Sequence, residues 1–523
     1  MGLEIVRRIR GNVHGSIDVT RVEDAVIGHP CFQRLRRIRQ LAFLHYVFPG
    51  ATHTRFEHSL GVMHLAGVAW EKLKINQERL RQSLSRMESF ATLERSPPPS
   101  GPNHGTLTPT FAVMDELFSS DYLLQAFRLA GLLHDLGHPP FSHSGEAFLP
   151  TWSAVIRDNP DIPDWLSSYL RGYSELLVEQ GKDPDRVRVR HEVYSYLLVE
   201  KVLRETYERY PDLSPAVEAR DVVAIMNHMV EPAPSSPLHK HHTWQICREL
   251  ISGELDIDRM DYLLRDSREC GVVYGLFDEG RILDSLCLYH DETDNRLHVA
   301  ITLSGLAAFE DYLRARYSMY LQLYFHKTSV SAEAMMIHMR QILGDWTLPA
   351  GVDAYAFFDE FNIGGYLLEK AKKQLPESGY QHFSAILRDL LYQRRLWKRV
   401  YEVTGQRRGQ TEGQGLRIVE KFLSEHKFAW QRVTSAGSLT RFRPRGENER
   451  SANTLRVVVK DEMQIPRVRP VEDYCDLVQP NSRGDTSSRI SRLYVDPESG
   501  DLRPESGTGL KQLVTRALKG QLQ

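Results

Sequence analysis

Apolar residues recur along most of the chain at the three- and four-residue spacing of amphipathic helices. His58, Gly61, Val62, Leu65, Ala66 and Ala69 form one such stripe, and Thr54-x-x-Glu57 ahead of them matches a capping box. A helix is therefore predicted to begin near Arg55. The run from Tyr122 to Leu133 is apolar enough to be a buried or half-buried helix. Further helices are predicted over Pro30 to Leu44, with proline in the first turn, from His191 through Val199, around Asp258 to Asp266, and as one long helix over Leu306 to Leu343. Strand-like alternation is confined to short pieces: residues 3–9, Leu455 to Lys460 and Arg492 to Asp496. Gly11 to Gly15 supplies a turn with His14 inside it. Residues 149–189 read as polar helices and loops.

Helical segments continue to about residue 427, and Phe428 to Gln523 is polar and rich in Arg, Ser, Gly and Pro. The prediction is thus a mainly α protein with a smaller mixed α+β C-terminal region, divided into residues 1–345 and 346–523. Within the first part, residues 85–120 carry Arg95-Ser-Pro-Pro-Pro-Ser-Gly-Pro and are expected to be an exposed insertion. Residues 436–453 and 480–490 are expected to be mobile loops.

Composition narrows the class. The chain has 523 residues, 41% of them hydrophobic, which suits a folded protein with a substantial core. The net charge of −2 argues against a dedicated nucleic-acid binder. Five scattered cysteines with no CxxC pair predict neither a disulfide framework nor a zinc–thiolate site. The N-terminus lacks a signal-peptide apolar region, and no run reaches membrane-spanning length, so a cytoplasmic protein without membrane partners is expected.

The candidate chemistry centres on Gly131-Leu-Leu-His134-Asp135-Leu-Gly-His138-Pro-Pro-Phe-Ser-His143-Ser-Gly-Glu146. A buried helix seldom carries an adjacent His and Asp unless they are paired or bind a metal. With His134 and His138 four residues apart, and Pro139-Pro140 ending the helix, the polar cluster is predicted in the last helical turn. A hydrogen-bonded core pair is the plain alternative for His134-Asp135 alone. His58, His134, Asp135 and Asp258, on three separated helices, make two imidazoles and two carboxylates, a set that suits Fe, Mn, Zn or a similar ion. His138, His143 and His191 are then spare imidazoles for proton transfer or phosphate contact. Arg55, Arg316 and Lys327 could bind phosphate oxygens, with Arg316, Tyr320, Tyr324 and Lys327 on one face of the long helix. For each of these stripes a solvated helix face is the alternative. No P-loop or dinucleotide fingerprint is present.

The order His58…His134-Asp135…Asp258 resembles the H…HD…D pattern of the HD-domain phosphohydrolases. Within that superfamily the chain looks most like the dNTP triphosphohydrolases, particularly the SAM-and-HD-domain enzymes and their bacterial relatives. The matching text includes Phe32-Gln-Arg-Leu-Arg36, Tyr46-Val-Phe-Pro-Gly-Ala51, Arg55-Phe-Glu-His-Ser-Leu-Gly61, His134-Asp-Leu-Gly-His138, Pro140-Phe-Ser-His143 and Asp256-Ile-Asp258-Arg-Met-Asp-Tyr262, over roughly residues 7–330.

The resemblance implies an HD-domain helical core that hydrolyses dNTPs to deoxynucleoside and tripolyphosphate. It implies one divalent metal (Fe, Mn, Zn, Mg or similar) on His58, His134, Asp135 and Asp258. His138, His143 and His191 would line the α-phosphate, with His143 as proton donor to the leaving oxygen. Arg55, Arg259, Tyr262, Arg316 and Lys327 would hold the triphosphate. Gln40 and Asp266 would bind the 3′-OH, and Leu41 and Tyr324 would press on the sugar where a 2′-OH would sit. Arg7, Gln33 and Arg36 match an effector site between subunits, which implies homo-oligomers (dimer or tetramer) and some nucleotide activation. Gly28 stands where the guanine-reading aspartate of the animal members falls, so strict guanine specificity is not expected.

Arg259, Phe325 and Pro139 depart from the Lys, Gln and Gly of the animal members, and only about ten residues precede the matching core, so no SAM domain is expected. The competing reading is an HD-type nuclease or phosphodiesterase acting on DNA or other nucleotides. A nucleotide-binding regulator without catalysis is a third.

Overall fold

The computed structural model describes residues 3–91, 117–240, 242–291, 294–344, 346–405, 414–437, 455–460, 466–478, 488–501 and 507–520. The body of the expected insertion, residues 92–116, and most of the two expected loops, residues 438–454 and 479–487, lie outside these. The described part is mainly helical with small sheets, as the periodicity predicts.

Strands β1 (Ile5–Gly11) and β2 (Gly15–Thr20) form an antiparallel hairpin, closed by Gly15 at φ +73°. The chain then reaches helix α1 (Arg55–Ala91), whose start is where the capping box places it: Glu57 Oε2 accepts from the Thr54 backbone N–H at 2.9 Å. Helix α2 (Asp121–Leu133) packs along α1, and helix α3 (His191–Arg209) begins at His191 as expected. Helix α4 (Ile257–Cys270) is capped by Asp256, which accepts from the Arg259 N–H at 2.7 Å. α4 also packs on α1, and two glycines permit the close contacts around it. A Cβ on Gly61 would lie 1.8 Å from Asp261 Oδ1, and one on Gly137 would lie 2.2 Å from the His191 carbonyl and from the Ser195 N–H nitrogen. The polar turn after α2 is thereby pressed against the start of α3.

Strands β3 (Leu286–Asp291) and β4 (Arg296–Thr302) follow, then helices α5 (Leu306–Met319) and α6 (Lys327–Ile342). Strand β5 (Lys398–Gly405) pairs with β9 (Ser488–Val495), which also pairs with β6 (Trp430–Gly437). Strand β7 (Arg456–Lys460) joins β4 in parallel and β8 (Pro466–Pro470) antiparallel. The sheet β3-β4-β7-β8 therefore joins residues from both sides of position 345, and one hydrophobic core runs from Ile17 to Tyr494. A second, smaller core lies beneath β9, where Leu416, Phe422, Leu493 and Val514 meet. No helix of the described residues is long and apolar enough to cross a membrane.

Four local expectations are corrected. The predicted helix over Pro30 to Leu44 is helical only at Pro30–Gln33, followed by a tighter turn at Arg34–Arg37. Arg34 turns inward, 1% exposed, and donates to the carbonyls of Phe358, Leu136 and His138. Beyond it, the Gln40 N–H bonds the His53 carbonyl and the Arg55 N–H bonds the Ile38 carbonyl, so tertiary pairing replaces helical bonding.

The predicted long helix over Leu306 to Leu343 is two helices. A widened turn at Tyr320–Tyr324 and a break at His326, whose ring accepts from the Thr328 N–H, separate α5 from α6. The HD pair is not in the last turn of a helix that Pro139 ends. α2 stops at Leu133, and residues 134–137 form a separate turn. Finally, β5 and the β3–β4 hairpin fall in stretches read as helical or left unassigned.

Candidate active site

Four segments converge at one end of a cavity of about 680 Å³. α1 supplies His58, the turn after α2 supplies His134 and Asp135, α4 supplies Asp258, and the start of α3 supplies His191. His58 Nε2 lies 3.0 Å from Asp258 Oδ1 and 3.4 Å from Asp135 Oδ2. His134 Nε2 lies 3.4 Å from the same Asp258 oxygen and 3.5 Å from Asp135 Oδ1. Both Nε2 atoms are buried, and neither makes an aligned hydrogen bond. Their other nitrogens are held: His58 Nδ1 pairs with Asp261 at 2.8 Å, and His134 Nδ1 with the Gly131 carbonyl at 2.8 Å. Two imidazoles presenting bare nitrogens to two carboxylates, each ring fixed from behind, fit a divalent metal. A purely structural His–Asp pair would satisfy those nitrogens.

Electrostatics agree with this fit. Burial opposes charge on His58, but the carboxylates of Asp258 and Asp261 outweigh it and raise its pKa to about 10. Burial would raise Asp135, but Arg55, 2.5 Å away, and the neighbouring His134 and His138 hold it well below the usual carboxylate range. In the metal-free fold the His58 proton contributes stability that is full below about pH 6.5 and is lost as pH rises through about 10. A metal needs that nitrogen neutral. We expect metal uptake at pH 7 to expel about one proton, and affinity to weaken as pH falls. Calorimetric metal titration in two buffers of different ionisation enthalpy checks this; identical heats would contradict it.

Behind the ligand set lies a second buried group. Asp261 accepts from Arg265 Nε and Nη2 at 2.8 Å and meets His14 Nε2, carried by the β1–β2 turn, at 2.6 Å. Neither Asp261 nor His14 was assigned a role from the sequence; the signal available was Asp261 three residues after Asp258.

Next to these four residues, His138, His143, Glu146 and His191 bring donor atoms within 4.8 Å of one another. The rings of His138 and His191 stack at 3.7 Å. Burial, Arg55 and His191 keep His138 well below the ordinary histidine pKa, hence neutral. Glu146 Oε1 meets His191 Nδ1 at 2.6 Å and His143 Nδ1 at 3.1 Å. Burial would raise Glu146, but those two imidazoles lower it, and Glu146 in turn raises His191 against burial. The sequence pattern gives Glu146 no role either, although it follows His143 by three residues.

Gln40, Leu41, Arg55, Arg259, Tyr262, Asp266, Arg316 and Tyr324 all line this cavity. The Gln40 Oε1 atom is buried with no hydrogen-bond partner among the described residues. Asp266 is engaged by His53 Nε2 at 2.8 Å and by the Tyr324 hydroxyl, which donates at 2.7 Å. Arg259 lies 3.1 Å from Asp256, and Arg316 lies 3.7 Å from Glu254, so both cations have acidic neighbours at hand. Lys327 is a correction. The break at His326 turns it out of this cavity and into a separate basic depression with Arg394, Lys398, Arg399 and Lys511. Arg7, Gln33, Arg36 and Gly28 do come together, in a different cavity of about 580 Å³ with His29, Arg209 and Tyr210.

No family model matches the chain. It is 27% identical over 341 residues to the deoxynucleoside triphosphate triphosphohydrolase SAMHD1 of Homo sapiens, covering 64% of this chain and 44% of that protein. It is 29% identical over 316 residues to the uncharacterised YwfO of Bacillus subtilis, covering 60% and 49%. A Mimivirus protein described as a putative HD-domain protein is 26% identical over 325 residues, covering 62% and 55%. The chain spans about half the length of the curated relatives it matches. Among solved structures, a phosphohydrolase from Bacteroides thetaiotaomicron superposes with TM-score 0.57 at 20% identity, covering 94% of this chain and 99% of that one. A hypothetical protein from Aquifex aeolicus gives 0.58 at 22%, covering 99% and 100%. These two likenesses show the fold alone. The ligand geometry and the sequence relatives agree: the chain is similar to HD-domain proteins, among them the SAMHD1 deoxynucleoside triphosphate triphosphohydrolases.

Proposed function

We propose that the protein is a metal-dependent phosphohydrolase that converts dNTPs to deoxynucleoside and tripolyphosphate. The observation that carries this reading is a single cavity lined by metal-type ligands, by the His138–His143–His191 cluster and by the cations Arg55, Arg259 and Arg316. His58, His134, Asp135 and Asp258 would hold the metal, which when bound supplies a water of lowered pKa. Arg259 and Arg316 would exchange their acidic neighbours for phosphate oxygens, a contact that guanidinium geometry favours. Neutral His138, and His191 with its pKa raised by Glu146, would receive the α-phosphate. His143, anchored through Nδ1 by Glu146, would protonate the departing 5′-oxygen.

The Tyr324 ring is held through its hydroxyl by Asp266 and lines the same cavity as Leu41, and the two would face the sugar. A ribose 2′-OH stranded there would lose about 1–3 kcal/mol, roughly 5- to 150-fold in kcat/KM. The Arg7–Gln33–Arg36 cavity is proposed as a nucleotide effector site in a homo-oligomer. With Gly28 offering no side-chain acceptor, guanine is not required there.

Mass spectrometry of products from mixed dNTPs and NTPs, with and without GTP, tests these assignments together. Deoxynucleosides plus tripolyphosphate, without an absolute need for GTP, are expected. Pyrophosphate with dNMP, or equal turnover of dATP and ATP, would contradict the reaction or the sugar wall respectively. Mononucleotides released from DNA, with no tripolyphosphate, would favour a nuclease.

A further inference from the structure

Glu333 is a titratable group with no part in the reading above. It lies on α6, which packs against residues 142–148, and it lines the same cavity as His143 and His191. Among the described residues no hydrogen bond or ion pair engages its carboxyl. The ionisable groups that face it are Glu146, from the 142–148 segment, and Tyr494, from β9.

The two glutamates differ in their surroundings. Glu146 has two imidazoles to balance its charge. Glu333 has none, so an ionised Glu333 would place a bare negative charge on the wall of a cavity whose arginines suit phosphate. Protonated, the same group becomes an O–H donor to an anionic oxygen. Burial and the charge of Glu146 favour the protonated form, pushing its pKa up to about 7.

We propose that Glu333 contacts the substrate: as a neutral carboxyl it donates a hydrogen bond to a phosphate oxygen at the His143–His191 end of the cavity. This rests on the phosphohydrolase reading for the ligand class, and not on turnover.

The test compares the full-length protein with its Glu333→Gln variant, which keeps the shape and a donor but cannot ionise. The probe is inorganic tripolyphosphate, its affinity measured by calorimetry from pH 6 to 9. Ionisations common to the two proteins cancel in the ratio of their affinities. The expected ratio is near one at pH 6. Above pH 7 the unsubstituted protein weakens relative to the variant by about tenfold per pH unit. The same divergence should appear in KM for a dNTP more than in kcat.

A ratio that does not change with pH overturns the proposal. So does a variant about tenfold weaker at pH 6, which would mean that the carboxylate form is the one that binds. Absence of tripolyphosphate binding in both proteins at pH 6 overturns it as well. A protein with the pH-dependent ratio but no dNTP hydrolysis would sink the hydrolase reading and leave the role of Glu333 standing.

Discussion

Replacing His134 and Asp135 together by alanine is expected to remove bound metal and reduce hydrolysis by at least about a thousandfold. His134 contributes one of the two bare buried nitrogens, and Asp135 faces His58, His134 and His138 at 3.2–3.5 Å. Neither remaining member of the proposed set, His58 or Asp258, could hold a metal alone. Activation of a water by a metal contributes several kcal/mol to the barrier, and about 4 kcal/mol corresponds to the thousandfold loss.

The double variant has a structural cost that must be separated from the chemical one. Asp135 pairs with buried Arg55, and removing one partner of such a pair costs about 3–5 kcal/mol. His134→Ala alone leaves that pair intact, so it should lose metal while unfolding close to the native midpoint. Metal analysis, thermal unfolding and turnover on the single and double variants give the comparison. Full turnover by the metal-free double variant would refute the assignment.

Asp261→Asn is the second large effect, although Asp261 is not itself among the four proposed ligands. The carboxylate is fully buried and accepts from Arg265 twice while meeting His58 and His14. An amide of the same shape keeps one acceptor and loses the charge. His58 is then less firmly oriented and less basic toward a metal, a change that typically weakens metal affinity by 10- to 100-fold, so about that loss is expected. Arg265, 2% exposed, is left buried without its counter-charge, at about 3–5 kcal/mol of stability. Asp261→Asn combined with Arg265→Met removes both charges and should recover much of the stability, because replacing both partners of a buried pair is close to neutral. It should not recover metal affinity. Recovery of both would show that Asp261 acts only through the fold.

Much of this site is legible in the sequence because its donors are chemically unusual for where they sit. His58 falls on an apolar stripe, and His134-Asp135 follows an apolar helix, so burial of charge-bearing groups could be inferred before any contact was known. The starts of α1 and α3 were readable for a local reason: Thr54 and Glu57 interact within one helical turn, and His191 opens an uninterrupted periodic run. Lys327 shows where that reasoning stops. Its spacing from Arg316 is right for a continuous helix, but the widened turn at Tyr320–Tyr324 and the break at His326 change the angular phase. Arg34 shows the same limit. Three carbonyls distant in the sequence recruit its guanidinium and end a segment that propensity would continue.

The sequence by itself determined the kinds of group available, their order, and the helices that carry His58, His191 and Asp258, since periodicity and caps are encoded within a few residues. Tertiary structure alone decided which nitrogen of His58 faces the carboxylates, that Asp261, 203 residues on, and through it His14 support that ring, and that Glu146 gains His191 as a second imidazole while, among the described residues, Glu333 gains none. The physical reason is that a side chain's hydrogen-bond partner and charge state depend on what packs against it. For His58 that neighbour is Asp261, on another helix, brought close by contacts such as Gly61 against Asp261 that no local pattern specifies.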